Sequence, residues 1–488
     1  MRLAFLLALT LVVAAVGSAS ADDDRVAWSW LAVRAADGAV IDAHDPDRRM
    51  LPASVHKLAV AIASLVDLGP DHRAVTTIEA GGPLEGGVVR GDLIVRGAID
   101  PSWCVDCGAS RPPRGSADAP TRAFDPLAQL AAQLRAAGVA RVTGNLVIDR
   151  GALAGPAWPP SRAHASIGLS FAAPVSALAI DDSVVPVRIA PGVRLGGPIA
   201  AAFEGGSAAA GGIELDVTAT TVDAARDGDG TVIFAPRPER QTIRVTGAYP
   251  ISESPYRMRV SVPDADLYAG TRLRAALIAA GVAIDGAVRT VGGEGVDARP
   301  SPARGADAVT LARLEGAPVV AWVTRVLRDS HNWTAEMLLR HLAWSTQGAG
   351  RLDLGRARLR AIYEEAGVAP DTVVIDDGSG ASRRNLLTPR AVVALVRHGL
   401  AEPTRAAALR QTLAAPDRGT LASWPALPAD LVAKTGTLDD GVTLAGIVEG
   451  ADGPVVFAIF ANNADADARP ALRQAIARRV KGWARAAH

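Results

Sequence analysis

Residues 51–69 read LPASVHKLAVAIASLVDLG. Leu58, Ile62, Leu65 and Val66 recur there at helical spacing, and Gly69-Pro70 stops the run. Ser54 therefore stands at the mouth of a buried helix. Lys57, three positions on, shares a helical face with it.

Working outward, AWSWLAVR (residues 27–34) alternates as a strand does, Asp37-Gly38 is a hairpin turn, and 39–43 returns. At the other end LVAKTGTL, TLAGIVEG and PVVFAIFAN read as three short strands joined by the Asp440-Gly441 and Asp452-Gly453 turns. An amphipathic helix over 468–487 follows. The opening pair, the closing trio and the terminal helix can make one sheet. Between them, from about 76 to 299, short β-like segments such as GDLIVRG, GNLVIDRG and MRVSVP alternate with Gly, Pro and Asp, with helical breaks at 126–137 and 266–280. A helical pattern returns at Pro318, where Val319, Val320, Val323, Val326 and Leu327 share a face, and it resumes over 333–344.

The chain has 488 residues, enough for two or three domains. Its formal net charge is zero, so no basic surplus exists to hold a nucleic-acid backbone, and nucleic acid is excluded as a partner. Arg2, an apolar run over 3–16 and Ala19-Ser20-Ala21 read as a signal peptide over 1–21, cut after Ala21. The expectation is an exported protein of the periplasm or cell envelope. In an oxidising compartment Cys104 and Cys107 read as a local disulfide rather than a metal or redox pair, because loop-like sequence flanks them. Arg473, Arg478, Arg479, Lys481 and Arg485 on the terminal helix could meet an anionic membrane. The reading adopted packs that helix on the sheet, with its charges in water.

Of the 51 cationic residues only three are lysines: Lys57, Lys434 and Lys481. An arginine keeps its proton near neutral pH, whereas a lysine amine can be made to release it, so the lysines that remain are candidates for chemistry. Two of them fall in short motifs. Ser54-Val55-His56-Lys57, Ser330-His331-Asn332 and Lys434-Thr435-Gly436 occur in that order and together match the S-x-x-K, S-x-N and K-T-G set of penicillin-binding proteins and serine β-lactamases. Ser54 would be the nucleophile and Lys57 its base, neutral because of burial and a nearby Lys434. Ser330 would relay protons, and Asn332 would bind Lys57 and the substrate amide. Lys434 would attract a substrate carboxylate, and Gly436 would let a backbone approach the strand edge beside Thr435. The backbone N–H groups of Ser54 and Thr437 would form an oxyanion hole.

With Asp377-Gly378-Ser379-Gly380-Ala381-Ser382-Arg383 and the phrases GDLIVRGAIDPSW and GNLVIDRG added, the chain resembles the D-alanyl-D-alanine carboxypeptidase/endopeptidase family, the low-molecular-mass class C penicillin-binding proteins. The resemblance implies an α+β fold: a split transpeptidase/β-lactamase-like domain, an antiparallel sheet with helices, formed by 22–75 and 300–488. It carries an inserted β-rich region over 76–299 of two modules. It implies a serine D,D-peptidase needing no cofactor and no metal, with peptidoglycan stem peptides and β-lactam antibiotics as partners. A β-lactamase or esterase on the same apparatus, and a non-catalytic wall-binding protein, are the alternatives. A Ser-His-Asp hydrolase is excluded because no G-x-S-x-G elbow is present. One departure stands out. His331 occupies the middle of the second motif where the family usually has Asp, and the expectation is that it points away from the cleft. His56 is expected to pack rather than act as a base, and Ser379 to belong to the walls of the cleft.

Overall fold

The computed structural model describes residues 25–106, 125–163, 166–206, 209, 211–228, 230–293, 301 and 309–485. The signal-peptide segment and Cys107 lie outside them. Cys104 is disulfide-bonded.

The two ends of the chain build one five-stranded antiparallel sheet. Its order is Val432–Leu438, Gly441–Gly450, Gly453–Asn462, Ala27–Arg34, Val40–His44. Both faces of the central strands are covered, which their near-continuous apolar runs require. On one face Leu31, Val33, Ala445, Ile447, Val456, Ala458 and Phe460 join a core formed with several helices. On the other, Val442, Leu444, Phe457 and Ile459 meet Leu472, Ile476, Val480 and Trp483 of the terminal helix Arg469–Arg485. Arg479 of that helix lies 3.6 Å over the Trp30 ring and donates to Asp42 at 2.9 Å, as does the Trp483 indole. The helix is thus packed on the sheet.

The helix Lys57–Asp67 runs through the middle of the larger core. The spacing of its leucines suggests one buried stripe, yet every residue from Lys57 to Leu65 is buried. Helices Val319–Leu327, Asn332–Gln347, Leu352–Glu365, Pro389–Gly399 and Pro403–Thr412 surround it, and Ala59, Ala61 and Ala63 give them room to approach.

Between the two parts of this arrangement lie the shorter strands. A second five-stranded sheet has the order Val288–Val291, Leu146–Asp149, Leu93–Arg96, Arg73–Ala80, Thr310–Pro318 and packs against helices Pro126–Ala136 and Ala265–Ala279. Further sheets of three and four strands include Val184–Ala190, Tyr256–Ser261 and Thr242–Pro250. One apolar cluster, with Ile78, Leu146, Val187, Val245 and Leu314 among its members, runs through these sheets.

Candidate functional site

The turn that carries Ser54 is not yet α-helix. Residues Ala53–His56 form a 3-10 turn, and the α-helix starts at Lys57. Ala53 has φ +48°, a left-handed conformation that costs a non-glycine residue about 1–3 kcal/mol and persists only where its surroundings enforce it. Four neighbours do so here. Thr443 Oγ1 donates to Pro52 O at 2.8 Å, and Asn462 Oδ1 accepts from Leu51 N at 2.8 Å. Two glycines close in from either side: a methyl group on Gly380 would come within 2.0 Å of Ala53 O, and one on Gly436 within 2.1 Å of Thr443 Oγ1 and 2.9 Å of Ala53 Cβ. A Gly436→Ala protein is therefore expected to lose about 1–3 kcal/mol of stability, as overpacked sites do. Its thermal unfolding should show this, and its reaction with benzylpenicillin should slow in parallel.

Lys57 Nζ lies 2.8 Å from Ser54 Oγ, 2.7 Å from Asn332 Oδ1 and 2.5 Å from Ser379 O. The last two are carbonyl oxygens and can only accept. A neutral amine donates two hydrogens to them and turns its lone pair to the Ser54 hydroxyl, which is the geometry of a base taking a proton. Burial pushes the amine down to about 7, against the pull of Asp377 and Glu336. The cation that acts with burial is Arg162, where the sequence reading gave that part to Lys434. Lys434 is itself pushed well below its ordinary value, by burial first and by Lys57 second.

Lys434 Nζ donates to Ser330 Oγ at 2.9 Å and to Thr435 O at 2.6 Å. Ser330 has φ +60°, so a second strained non-glycine residue stands beside the cleft. Thr435 Oγ1 is fixed at 2.7 Å by Thr420 Oγ1. Gly436 lies against the nucleophile turn, and Thr437 is exposed on the strand at the end of the sheet. Ser54, Lys57, Asn332, Ser330 and Lys434, drawn from three distant stretches, are thus joined by one chain of hydrogen bonds and short covalent steps.

His331 turns out to cap the helix Asn332–Gln347. Its Nδ1 accepts from Thr334 N and lies 2.8 Å from Thr334 Oγ1, and its Nε2 faces Asp182 at 3.7 Å. Burial, with Arg325 next, holds the imidazole down to about 3, so it is neutral. Asp182, from the strand-rich middle of the chain, also takes both terminal nitrogens of Arg325 at 2.9 Å. A neutral imidazole fits beside that carboxylate better than the family's usual aspartate would. His56 is buried and bonds Asp377 O at 2.7 Å, as a packing residue does.

Sequence reasoning missed Glu336 and Arg162, and it placed Asp377 and Ser379 in the cleft without their roles. Ser379 contributes its carbonyl rather than its hydroxyl. Glu336 Oε1 and Oε2 accept from Ser379 N and Gly378 N at 3.0 and 3.2 Å, and Asp377 accepts from Gly380 N, Ser382 N and Asn385 Nδ2. Glu336 was findable, since it lies four residues beyond Asn332 on one helical face. Arg162 lies in no motif and had no signal.

A family model described as the D-Ala-D-Ala carboxypeptidase 3 (S13) family matches residues 12–482. The D-alanyl-D-alanine carboxypeptidase of Actinomadura sp. (strain R39) is 31% identical over 478 residues, covering 93% of this chain and 80% of that relative. D-alanyl-D-alanine carboxypeptidase DacB of Haemophilus influenzae is 23% identical over 436 residues, covering 85% of this chain and 80% of its own. The crystal structure of penicillin binding protein 4 from Haemophilus influenzae superimposes with a TM-score of 0.80 at 21% identity, covering 95% of this chain and 97% of that one. That likeness bears out the mixed helix-and-sheet fold.

Proposed function

The chain belongs to the D-Ala-D-Ala carboxypeptidase 3 (S13) family, and from that premise we propose a serine D,D-peptidase of peptidoglycan stem peptides in which Ser54 carries the acyl group. The observation that supports this most is the set of partners around Lys57 Nζ, two obligate acceptors and one hydroxyl.

Lys57, as the neutral amine, takes the Ser54 proton while Oγ attacks the carbonyl carbon of the penultimate D-Ala. The oxyanion forms against the N–H groups of Ser54 and Thr437, each worth roughly 3–4 kcal/mol in comparable hydrolases. The C–N bond breaks and the leaving amine takes the proton through Lys57 or Ser330. Water then hydrolyses the acyl-enzyme with Lys57 again as base. Lys434, reluctant to be charged because it is buried beside Lys57, gains its proton when a substrate carboxylate arrives. A cross-linked strand presents the same carbonyl as a terminal D-Ala, so endopeptidase action uses the same steps. No step in this sequence calls for a cofactor.

Family membership sets this chain among D,D-peptidases and not among β-lactamases or inert wall-binding proteins. We infer that it works outside the cytoplasm, where its substrate lies. Among the described residues no helix is long and apolar enough to cross a membrane. A β-lactam, which presents a strained amide to the same serine, should acylate it.

The test is release of D-Ala from a synthetic pentapeptide ending in D-Ala-D-Ala, with intact-mass detection of a benzylpenicillin adduct. Neither release nor adduct would sink the reading. The rate should also carry an acidic limb. Below about pH 7 the Lys57 amine is protonated and cannot accept, so acylation should fall about tenfold per pH unit there. A pH series of benzylpenicillin acylation rates checks this.

A further inference from the structure

Two carboxylates stand near Lys57, and both oppose its use as a base. Glu336 and Asp377 are buried, at 4% and 1% exposure, and their charges favour the ammonium form of the amine. Other charged or titratable groups face this pocket, and of these His56 acts on Asp377 ahead of Arg162. Burial pushes His56 on the nucleophile turn down, against the pull of Asp377, and holds His331 at the helix cap down to about 3. Asp376 is paired with Arg356 at 2.8 Å, and Arg325 and Arg259 are taken up by Asp182. Lys434 has Asp329 among its neighbours and is disfavoured as a cation.

One cation does reach the carboxylates. Arg162 comes from the segment between Leu146–Asp149 and the turn Ser170–Ala172, within the strand-rich middle of the chain. Its side chain is 6% exposed, with NH2 at 3.3 Å from Glu336 Oε1, 3.4 Å from Ser379 Oγ and 3.8 Å from Asp377 Oδ2. The segment is tied to the catalytic helix Asn332–Gln347. Arg340 donates to Ala154 O and Pro156 O, Trp333 Nε1 to Pro174 O at 2.8 Å, and Trp158 Nε1 closes the segment on Ala172 O at 2.7 Å. Arg162 Nε is buried with no hydrogen-bond partner among the described residues. The contacts Arg162 does make are long for hydrogen bonds, whose strength falls steeply with distance and angle, whereas a charge interaction falls only as its inverse. The guanidinium acts here mainly through its charge.

We propose that Arg162 is a positioning residue of the peptidase reaction, whose charge balances Glu336 and Asp377 so that Lys57 stays a neutral amine facing Ser54. The inference rests on Lys57 being the base. Burial and the charge of Asp377 push the Glu336 carboxyl up, and Arg162 pulls it back toward ionisation; with both carboxylates ionised the three buried groups sum to one negative charge, and removing Arg162 takes one positive charge from beside Lys57. The inserted region thereby enters the chemistry and does not merely extend the surface.

The experiment is the pH dependence of benzylpenicillin acylation of the mature protein, from pH 5 to 9, for wild type, Arg162→Gln and Arg162→Lys. The expected result for R162Q is an acidic limb raised by about one pH unit, hence about tenfold slower acylation at pH 6 and recovery toward the wild-type rate at pH 9. R162K, which keeps the charge, should follow the wild-type curve. An R162Q limb that coincides with wild type, or a loss equal at every pH, would overturn the proposal. Should R162Q not fold, the Arg162→Gln/Glu336→Gln protein restores the one-charge balance. A wild-type limb there supports the proposal and a raised one overturns it. A wild-type profile flat across the whole range would remove Lys57 as the base, and this inference with it.

Discussion

A Ser54→Ala protein incubated with excess benzylpenicillin should keep its unmodified mass, and its release of D-Ala should fall by about 10⁴-fold or more, as when a hydrolase loses its nucleophile. The result is informative because the cleft holds a rival. Ser330 Oγ lies 2.9 Å from the Lys434 amine, much as Ser54 Oγ lies 2.8 Å from that of Lys57. What separates the pairs is what else each amine touches. Lys57 gives its hydrogens to two carbonyl oxygens and has a lone pair left for the serine, whereas among the described residues Lys434 has one carbonyl partner, Thr435 O. An adduct retained on S54A would move the nucleophile to Ser330. Ser379 is a weaker rival, since its hydroxyl is engaged by Asp377 at 3.1 Å.

Lys57→Arg should cost about 10²–10⁴-fold in acylation, the range a general base supplies, and raising the pH to 9 should recover none of it. A guanidinium does not give up its proton in this range, so the position keeps its charge and loses its lone pair. The variant would also bury an obligate cation where the native group sheds its charge at about pH 7, so its unfolding temperature should drop above that pH. Second-order acylation rates at pH 7 and 9, with the unfolding midpoint as a control, separate the two effects. A rate within about tenfold of wild type would mean that some group other than Lys57 accepts the proton.

The sheet and the three motifs could be read because their signals are local. AWSWLAVR alternates through a whole strand, and the structure starts and ends that strand at Ala27 and Arg34. The Asp440-Gly441 and Asp452-Gly453 turns mark the boundaries of the closing strands just as directly. The helix at Lys57 was legible in kind but not in surroundings, since a stripe of leucines cannot reveal that alanines between them are covered too. The electrostatics were least legible. The sequence points to Lys434 as the cation acting on Lys57 because both lie in motifs, but Arg162 sits in a loop whose position depends on how the middle sheets dock. His331 was expected to face away from the cleft, and its true neighbour, Asp182, is set by the same docking.

The central sheet also dictates when the enzyme can exist. Leu51, just ahead of the nucleophile turn, bonds to Asn462 across 411 positions of chain, and Ala27–Arg34, paired locally with Val40–His44 on one side, finds its other partner in Gly453–Asn462. Contacts of such long sequence separation form late and slowly, because the loop between them must close first. Early in folding the serine and its amine are already close together in the chain, yet the strand that clamps their turn is not in place. The intervening sheets have local partners and can fold in the meantime. A folding chain should therefore neither cut wall peptides nor trap a β-lactam until Gly453–Asn462 has paired with Ala27–Arg34, which makes the meeting of two distant stretches the event that creates the active site.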